Sequence, residues 1–329
     1  MIAAKAWCRV DLAGGTLDIW PLGLFHPQAR TVNVAVDLAV TVRLRPGSRG
    51  YRVRQGETLA EAASAAELAR NPEAALVGVI AAALELPPFE AILASESPRG
   101  GGLGASSAMT VAFIAAAEEA FGRRRSAPHE RAALARDLEA RLMQLPTGVQ
   151  DHYPALLGGA LEIRPLPGGE RVRRLAVDLP ALAASLLVVY SGQSHFSAGN
   201  NWQVVRRRLD GEAEIAELFA GIAEAAAGLA PALEDGDLPR VGELMSREWS
   251  FRRRLAEGIS TPAVESLLAQ AVAAGAWGGK ACGAGGGGCL AILCPAERRE
   301  AVAAAVASAG GEVLAAQPTG RALEITEEG

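Results

Sequence analysis

Four glycines and two serines stand together in PRGGGLGASSAM (98–109), ahead of an apolar run. Glycine adopts positive φ and lets an anion come close to the backbone. A strand, a glycine turn and a helix start together aim free N–H groups and the helix dipole at negative charge. Ser106 and Ser107, at the helix entry, can cap the helix, bond a phosphate oxygen or ligate Mg²⁺. The stretch has no P-loop lysine, and Lys5 and Lys280 are the only lysines in the chain. By itself it reads either as a phosphate cradle or as a tight turn with a serine cap.

Two further stretches bear on that choice. GAGGGG at 283–288 has the form G-x-G-x-x-G. A dinucleotide fingerprint follows a strand and opens a helix. This run reads as following a helix and entering the apolar strand CLAILC (289–294), so the Rossmann reading is set aside. What remains is a packed loop, or backbone lying against a ligand where no side chain fits. In PTGVQDHYPALLGG (146–159), Asp151 lies between a glycine turn and an apolar segment. Alone it is a helix cap or a surface charge; beside a phosphate cradle it is a carboxylate able to take a hydroxyl proton. His152 and Tyr153 are site-lining or packing residues.

The elements that must position these residues are mixed. AWCRVDL (6–12) and TVNVAVDLAVTVRLR (31–45) alternate as strands do, and 51–57 reads as another. TLAEAASAAELARN (58–71) and PEAALVGVIAAALEL (72–86) read as helices, the second entered through proline. The strand FEAILAS (89–95) runs into the glycine stretch, and helices over 106–121 and 126–143 follow. GALEIRPL (159–166), RVRRLAVDL (171–179) and SLLVVYSG (185–192) are strands, and 198–275 is helical. A helix over 296–310 and strands at 311–318 and 321–328 close the chain. Proline and glycine cluster at RPLPGGERVRR, which suggests domains over 1–170 and 171–329. This order predicts an α+β fold rather than a regular βαβ alternation.

Composition narrows the partners. The 329 residues are 50% apolar with net charge −5, which disfavours nucleic acid or a membrane surface as the main partner. Cys8, Cys282, Cys289 and Cys294 form no C-x-x-C pair and read as reduced, packed thiols. MIAAKAWCRVDLAGG lacks a signal-peptide core, and no uninterrupted apolar run reaches the ~20 residues of a membrane helix. The expectation is a cytoplasmic protein, monomer or homodimer.

Taken in order, these segments resemble the GHMP kinases (galactokinase, homoserine kinase, mevalonate kinase and phosphomevalonate kinase). PRGGGLGASSA is similar to that family's P-x-x-x-G-L-x-S-S-A loop, with Ala105 in the serine run. GVQDHY is similar to its G-x-x-D segment, KACGAGGGGC to its G-x-G-G-G loop, and RVDLAGGTLD to its first motif. The resemblance implies the GHMP kinase fold, with a ribosomal-S5-like N-terminal domain and a ferredoxin-like C-terminal domain. It also implies ATP and Mg²⁺. Gly100, Gly101, Gly102, Leu103, Gly104, Ala105, Ser106 and Ser107 would then hold the ATP phosphates, with Ser106 and Glu139 on the metal. Asp151 would take the proton of the attacking hydroxyl and Arg9 would offset charge at the reacting phosphate. Gly14, Gly15, Asp18, His195, Gly285 and Gly286 would face the acceptor.

Where galactokinases carry a glutamate-histidine pair, this chain has Gly15 and Thr16. RVDLAGGTLD is closer to RISFAGGGTD of the D-glycero-D-manno-heptose phosphate kinases, and GVQDHYPALLGG to their GKQDQYAAAFGG. The resemblance therefore implies a sugar or sugar-phosphate kinase. The alternatives are a non-catalytic sensor of the same fold, a galactokinase or mevalonate-type kinase, or a decarboxylase of phosphorylated isoprenoid acids. A phosphorylated acceptor would want a second anion site, for which Arg30, His195 and Arg206–Arg208 are candidates.

Overall fold

The computed structural model describes residues 1–47, 49–194 and 198–328. Two sheets organise it. The first contains β1 (Ile2–Ala13), β2 (Thr31–Pro46), β3 (Tyr51–Gln55), β4 (Thr58–Ala62), β5 (Phe89–Ser95), β6 (Ala160–Leu166) and β7 (Gly169–Arg174). Its helices are the short α1 (Ala65–Leu68), then α2 (Ala75–Ala83), α3 (Ala105–Ala120), α4 (Pro128–Met143) and α5 (His152–Leu157). After α6 (Leu179–Ser185), the second sheet begins with β8 (Leu186–Tyr190). It continues through α7 (Ala198–Leu209), α8 (Ala213–Glu234), α9 (Leu238–Arg252) and α10 (Pro262–Ala273) to β9 (Gly278–Ala281) and β10 (Cys289–Leu293). α11 (Arg299–Ser308) and β11 (Glu312–Val313) complete it, and β12 (Glu324–Glu327) returns to pair with β1 in the first sheet.

The length of β2 explains the first sheet. One edge pairs with β1, while its two ends pair on the other edge with β6 (Thr31–Val34) and β5 (Val40–Pro46). α3 crosses this sheet and is buried on nearly every face, including Ala108, Ala112, Ala115, Ala116 and Ala117. Small side chains let the helix sit close to β1 and β2, and a helix apolar all round belongs in a core. The second sheet runs β11-β8-β10-β9 with every neighbour antiparallel. That is the fourth-first-third-second order of the ferredoxin-like βαββαβ unit. The α+β expectation holds, and so does the ferredoxin-like second part.

The structure differs from the sequence reading in several places. Residues 58–71 are not one helix: β4 pairs with β3 around Gly56, whose φ of +57° makes the tight turn, and only Ala65–Leu68 is helical. The alanine-rich pattern suits a helix, but cross-strand pairing wins. GAGGGG follows β9, not a helix, and so joins two antiparallel strands; it still opens no helix, and the Rossmann reading stays excluded. β7 runs across the domain boundary expected at 170, and β12 carries the chain's end back to the first sheet. Finally, α8 is long and apolar enough by composition to cross a membrane, but Ile215, Leu218, Phe219 and Ile222 are buried in the core under the second sheet.

Candidate active site

A cleft of about 860 Å³ opens beside the glycine stretch before α3. Gly100–Ser107 lines one wall, with Arg9, Thr16, Asp18, Glu139, Gly148, Gln150 and Asp151 around it and Gly283 and Ala284 at its edge next to Gly102. The stretch expected to cradle phosphates runs from β5 into the start of α3. Gly100, Gly102 and Gly104 have φ of +67°, +70° and +72°, and Gly104 caps α3 without any side-chain cap bond. The first backbone bond of α3 runs from Ala108 N to Gly104 O, so the N–H groups of Ala105, Ser106 and Ser107 precede the ladder. An uncapped start on a buried 16-residue helix offers those amides and the positive dipole end to an anion.

The second glycine run holds the first in place. Cys289 N donates to Gly101 O at 2.8 Å. A Cβ on Gly102 would lie 2.8 Å from Cys282 O, and one on Gly288 would lie 2.9 Å from Gly101 O. The two loops meet backbone to backbone, which is why glycine is needed on both. Gly285 and Gly286, expected to face the acceptor, are instead bound to the segment before α10. Gly286 N donates to Ile259 O at 2.6 Å, and Gly285 has Ile259 O where a Cβ would be. From this loop the cleft is lined by Gly283 and Ala284.

Asp151 ends the turn before α5 and meets Arg9 of β1. Arg9 Nε and Nη2 both donate to Asp151 Oδ1, at 2.9 and 2.6 Å, and Nη1 donates to Gly102 O. A Cβ on Gly104 would stand 3.3 Å from Asp151 Cγ. Carboxylate, guanidinium and helix start therefore form one contact, with Asp151 Oδ2 left to the cleft. Both Arg9 bonds cross 142 residues of sequence, a separation that no local pattern encodes.

Glu139 lies on the other side of the helix start. Ser107 Oγ donates to Glu139 Oε2 at 2.9 Å and Thr110 Oγ1 to Oε1 at 2.8 Å, while His152 Nε2 stands 3.3 Å from Oε2. Burial alone would push this carboxyl up, but His152 and the two hydroxyls hold it below its ordinary value. His152 moves the other way: burial opposes its proton, and Glu139 outweighs that. The serine that meets Glu139 is Ser107, which is buried; Ser106, the metal ligand expected from sequence, is exposed and also lines the cleft. Residues at successive helix positions point about 100° apart, so only one of the pair can face Glu139. Tyr153 packs in the core and donates to Glu170, away from the cleft.

Another part of the cleft wall is built on the loop after β1. Asp18 Oδ2 accepts from Gln150 N at 2.8 Å and rests on Gly148, where a Cβ would come within 1.9 Å. Burial raises this carboxyl to about 6, with the Gln150 N–H opposing and Asp151 adding to the rise. Asp18 Oδ1 and Gln150 Oε1 are buried without hydrogen-bond partners. Gly14 and Gly15 sit behind this loop rather than in the cleft lining. Gly14 N donates to Glu248 Oε1, and Gly15 O accepts from Arg252 Nη2. Sequence reasoning passed over Thr16, Gln150, Thr110, Glu248 and Arg252. The helix spacing of Glu248 and Arg252, one turn apart in α9, was the one available signal.

His195 lies outside the described residues. The other candidates for a second anion site are already engaged: Arg30 pairs with Glu162 at 2.9 Å, and Arg207 with Glu212 at 2.7 Å. Arg206 lies 3.6 Å from Asp210, and Arg208 stacks over Phe25. The four cysteines are free and buried, and burial pushes Cys8 up to about 12 and Cys282 to about 11, as expected of unreactive thiols. Among the described residues, no group of three or more His, Cys, Asp or Glu side chains is placed to hold a metal on its own.

Residues 62–159 match the GHMP kinases N terminal domain, and residues 229–312 match the GHMP kinases C terminal family. The chain is 31% identical to the mevalonate kinase of Pyrococcus horikoshii over 244 residues, covering 71% of this chain and 68% of that protein. It is 28% identical to the galactokinase of Mycobacterium tuberculosis over 335 residues, covering 90% and 89%. Among solved structures, a D-glycero-D-manno-heptose 1-phosphate kinase from Bacteroides thetaiotaomicron superposes with a TM-score of 0.79 at 21% identity, over 100% of this chain and 99% of that one. The glycine stretch before α3 with Asp151, and the glycine loop packed against it, lie within the matched segments, and the chain belongs to the GHMP kinase family.

Proposed function

We propose that this kinase transfers the γ-phosphoryl group of ATP to a hydroxyl of a sugar or sugar phosphate. The observation that carries the acceptor class is the pair of buried, unpartnered oxygens, Asp18 Oδ1 and Gln150 Oε1, on two residues that line the cleft. Buried acceptors without donors are costly, and a polyol supplies donors to both.

The residues present fit a nucleoside triphosphate and a divalent ion. The amides of Ala105, Ser106 and Ser107 and the left-handed glycines suit the phosphates. Glu139, held ionised, and Ser107 would hold Mg²⁺, which usually takes one or two carboxylates together with substrate phosphates. When bound, that ion neutralises phosphate charge. Asp151 Oδ2 accepts the proton of the attacking hydroxyl while Arg9 holds Oδ1. The acceptor oxygen bonds to phosphorus, the bridging P–O bond breaks and ADP leaves. No lysine is required, because amides, cation and Arg9 share the charge.

The test is ATP consumption across D-galactose, L-fucose, D-glucuronate, D-glycero-D-manno-heptose 7-phosphate and R-mevalonate. Turnover with a sugar or sugar phosphate supports the reading, and turnover with R-mevalonate alone replaces it by a mevalonate kinase. Tight ATP binding with no turnover on any of them would make the protein a sensor.

A further inference from the structure

Thr16 has a φ of +73°. A β-branched residue rarely adopts that conformation, which is strained for it. The heptose-kinase-like pattern has glycine at this position, where the strain would vanish. Among the described residues, two other non-glycine residues share positive φ, Glu85 and Gln144, but they follow α2 and α4, where a left-handed residue ends a helix. Thr16 ends no helix. It is 6% exposed and lines the cleft two residues before Asp18.

What holds it there comes from α9. Arg252 Nη1 donates to Thr16 Oγ1 at 3.1 Å, and Nη2 donates to Gly15 O at 2.7 Å. Arg252 Nε donates to Glu248 Oε1 at 2.8 Å, and the same oxygen accepts from Gly14 N at 3.2 Å. Two side chains one helical turn apart thus hold three consecutive loop residues. Arg252 and Glu248 are 1% and 0% exposed. Lys280 closes the cluster, 3.8 Å from Glu248 Oε2 and 2.7 Å from Asp11 Oδ2, so two acids and two bases balance within it. From the held turn, Leu17 N bonds Gly14 O and Ile19 N bonds Thr16 O, which places Asp18 between two fixed points.

A planar guanidinium with its donors divided between loop and carboxylate is a geometry that lysine cannot reproduce. Backbone strain persists only where its surroundings over-determine it, and it gathers at ligand sites. We propose that Arg252 is a positioning residue for the acceptor: with Glu248 it clamps Gly14–Thr16 in the strained turn that aims Asp18 into the cleft. The identity of the acceptor rests on the function proposed above; the clamp itself does not.

The test uses the full chain and the variants Thr16→Val, which removes the hydroxyl, Thr16→Ser, which keeps it, and Arg252→Lys. Hydrogen–deuterium exchange is followed at the amides of residues 15–19, and KM is measured for ATP and for each acceptor of the panel above. In Thr16→Val and Arg252→Lys we expect exchange over 15–19 to quicken by about 10-fold or more and acceptor KM to rise by a similar factor, as for a lost charged hydrogen bond. KM for ATP should stay within about twofold, and Thr16→Ser should restore both readouts. Unchanged exchange in both variants overturns the clamp. So does a parallel rise of both KM values together with a falling thermal midpoint, the sign of a purely structural role. If the wild type phosphorylates no acceptor in the panel, the sugar-kinase reading fails, and the exchange data alone decide on the clamp.

Discussion

Replacing Asp18 with asparagine should stabilise the protein and weaken acceptor binding. The carboxyl is raised from 3.8 to about 6, first by burial. The folded state therefore prefers the neutral form, and ionising the group costs folding free energy. At about 1.4 kcal/mol per pH unit, the interval from 3.8 to about 6 amounts to about 3 kcal/mol. The sign follows from linkage: below about pH 4 both states hold the proton and Asp18 costs nothing. Between about pH 4 and 6 the unfolded chain has released its proton while the folded chain keeps it, so this part of the stability is lost as pH rises. Above about pH 6 the cost is constant. Asp18→Asn carries no such charge. Its thermal midpoint should match wild type near pH 4 and exceed it near neutrality by on the order of 4 °C, for a chain of 329 residues. Acceptor kcat/KM should rise through about pH 6 in the wild type and lose that limb in the variant, with a fall of about 10–100-fold at neutral pH. Melting curves against pH and a coupled ADP assay read both effects. A variant that melts below wild type at neutral pH and keeps its acceptor kcat/KM would refute the assignment of a functionally strained carboxylate.

Other residues yield separable outcomes. Asp151→Asn should lower kcat by ~10²–10⁴ with ATP affinity retained, measured by turnover and equilibrium binding; full turnover would remove Asp151 from the proton step. Ser107→Ala and Glu139→Gln should each raise the magnesium needed for half-maximal rate by about 10-fold, while Ser106→Ala should move it far less; a magnesium titration in which Ser106→Ala has the larger effect would reverse the assignment. Gly102→Ala places a Cβ 2.8 Å from Cys282 O at a φ of +70°. It should lower the thermal midpoint and raise KM for ATP, since a left-handed alanine costs about 1–2 kcal/mol before any clash. Gly148→Ala would put its Cβ 1.9 Å from Asp18 Oδ2 and should raise KM for the acceptor while sparing that for ATP.

Much of the cradle was legible because its chemistry is local. Glycines whose backbone must turn left-handed, a serine pair at a helix entry and an apolar run behind them are neighbours in sequence. What was not legible depends on tertiary distance. The choice between Ser106 and Ser107 turns on where α4 places Glu139, 32 residues after Ser107. The strand at 58–62 owes its existence to β3, since its alanines alone favour a helix. Arg252 shows the limit most clearly. Among RRRL and REWSFRRRL its charge has many equivalents, and the composition around it fits a solvated helix face. Its neighbour Arg253 behaves that way, paired with Glu265 at the surface. Helix phase turns Arg252 inward beneath a loop 236 residues earlier in the chain, where its guanidinium meets a threonine in a backbone conformation that favours glycine. A β-branched residue in that conformation, held by a fully buried pair of charges, must be stabilised by its surroundings, and the group it leads into is Asp18, itself buried at a cost. Two unfavourable features two positions apart, both lining the same cleft, are most economically explained by a shared acceptor that relieves the second while the clamp maintains the first.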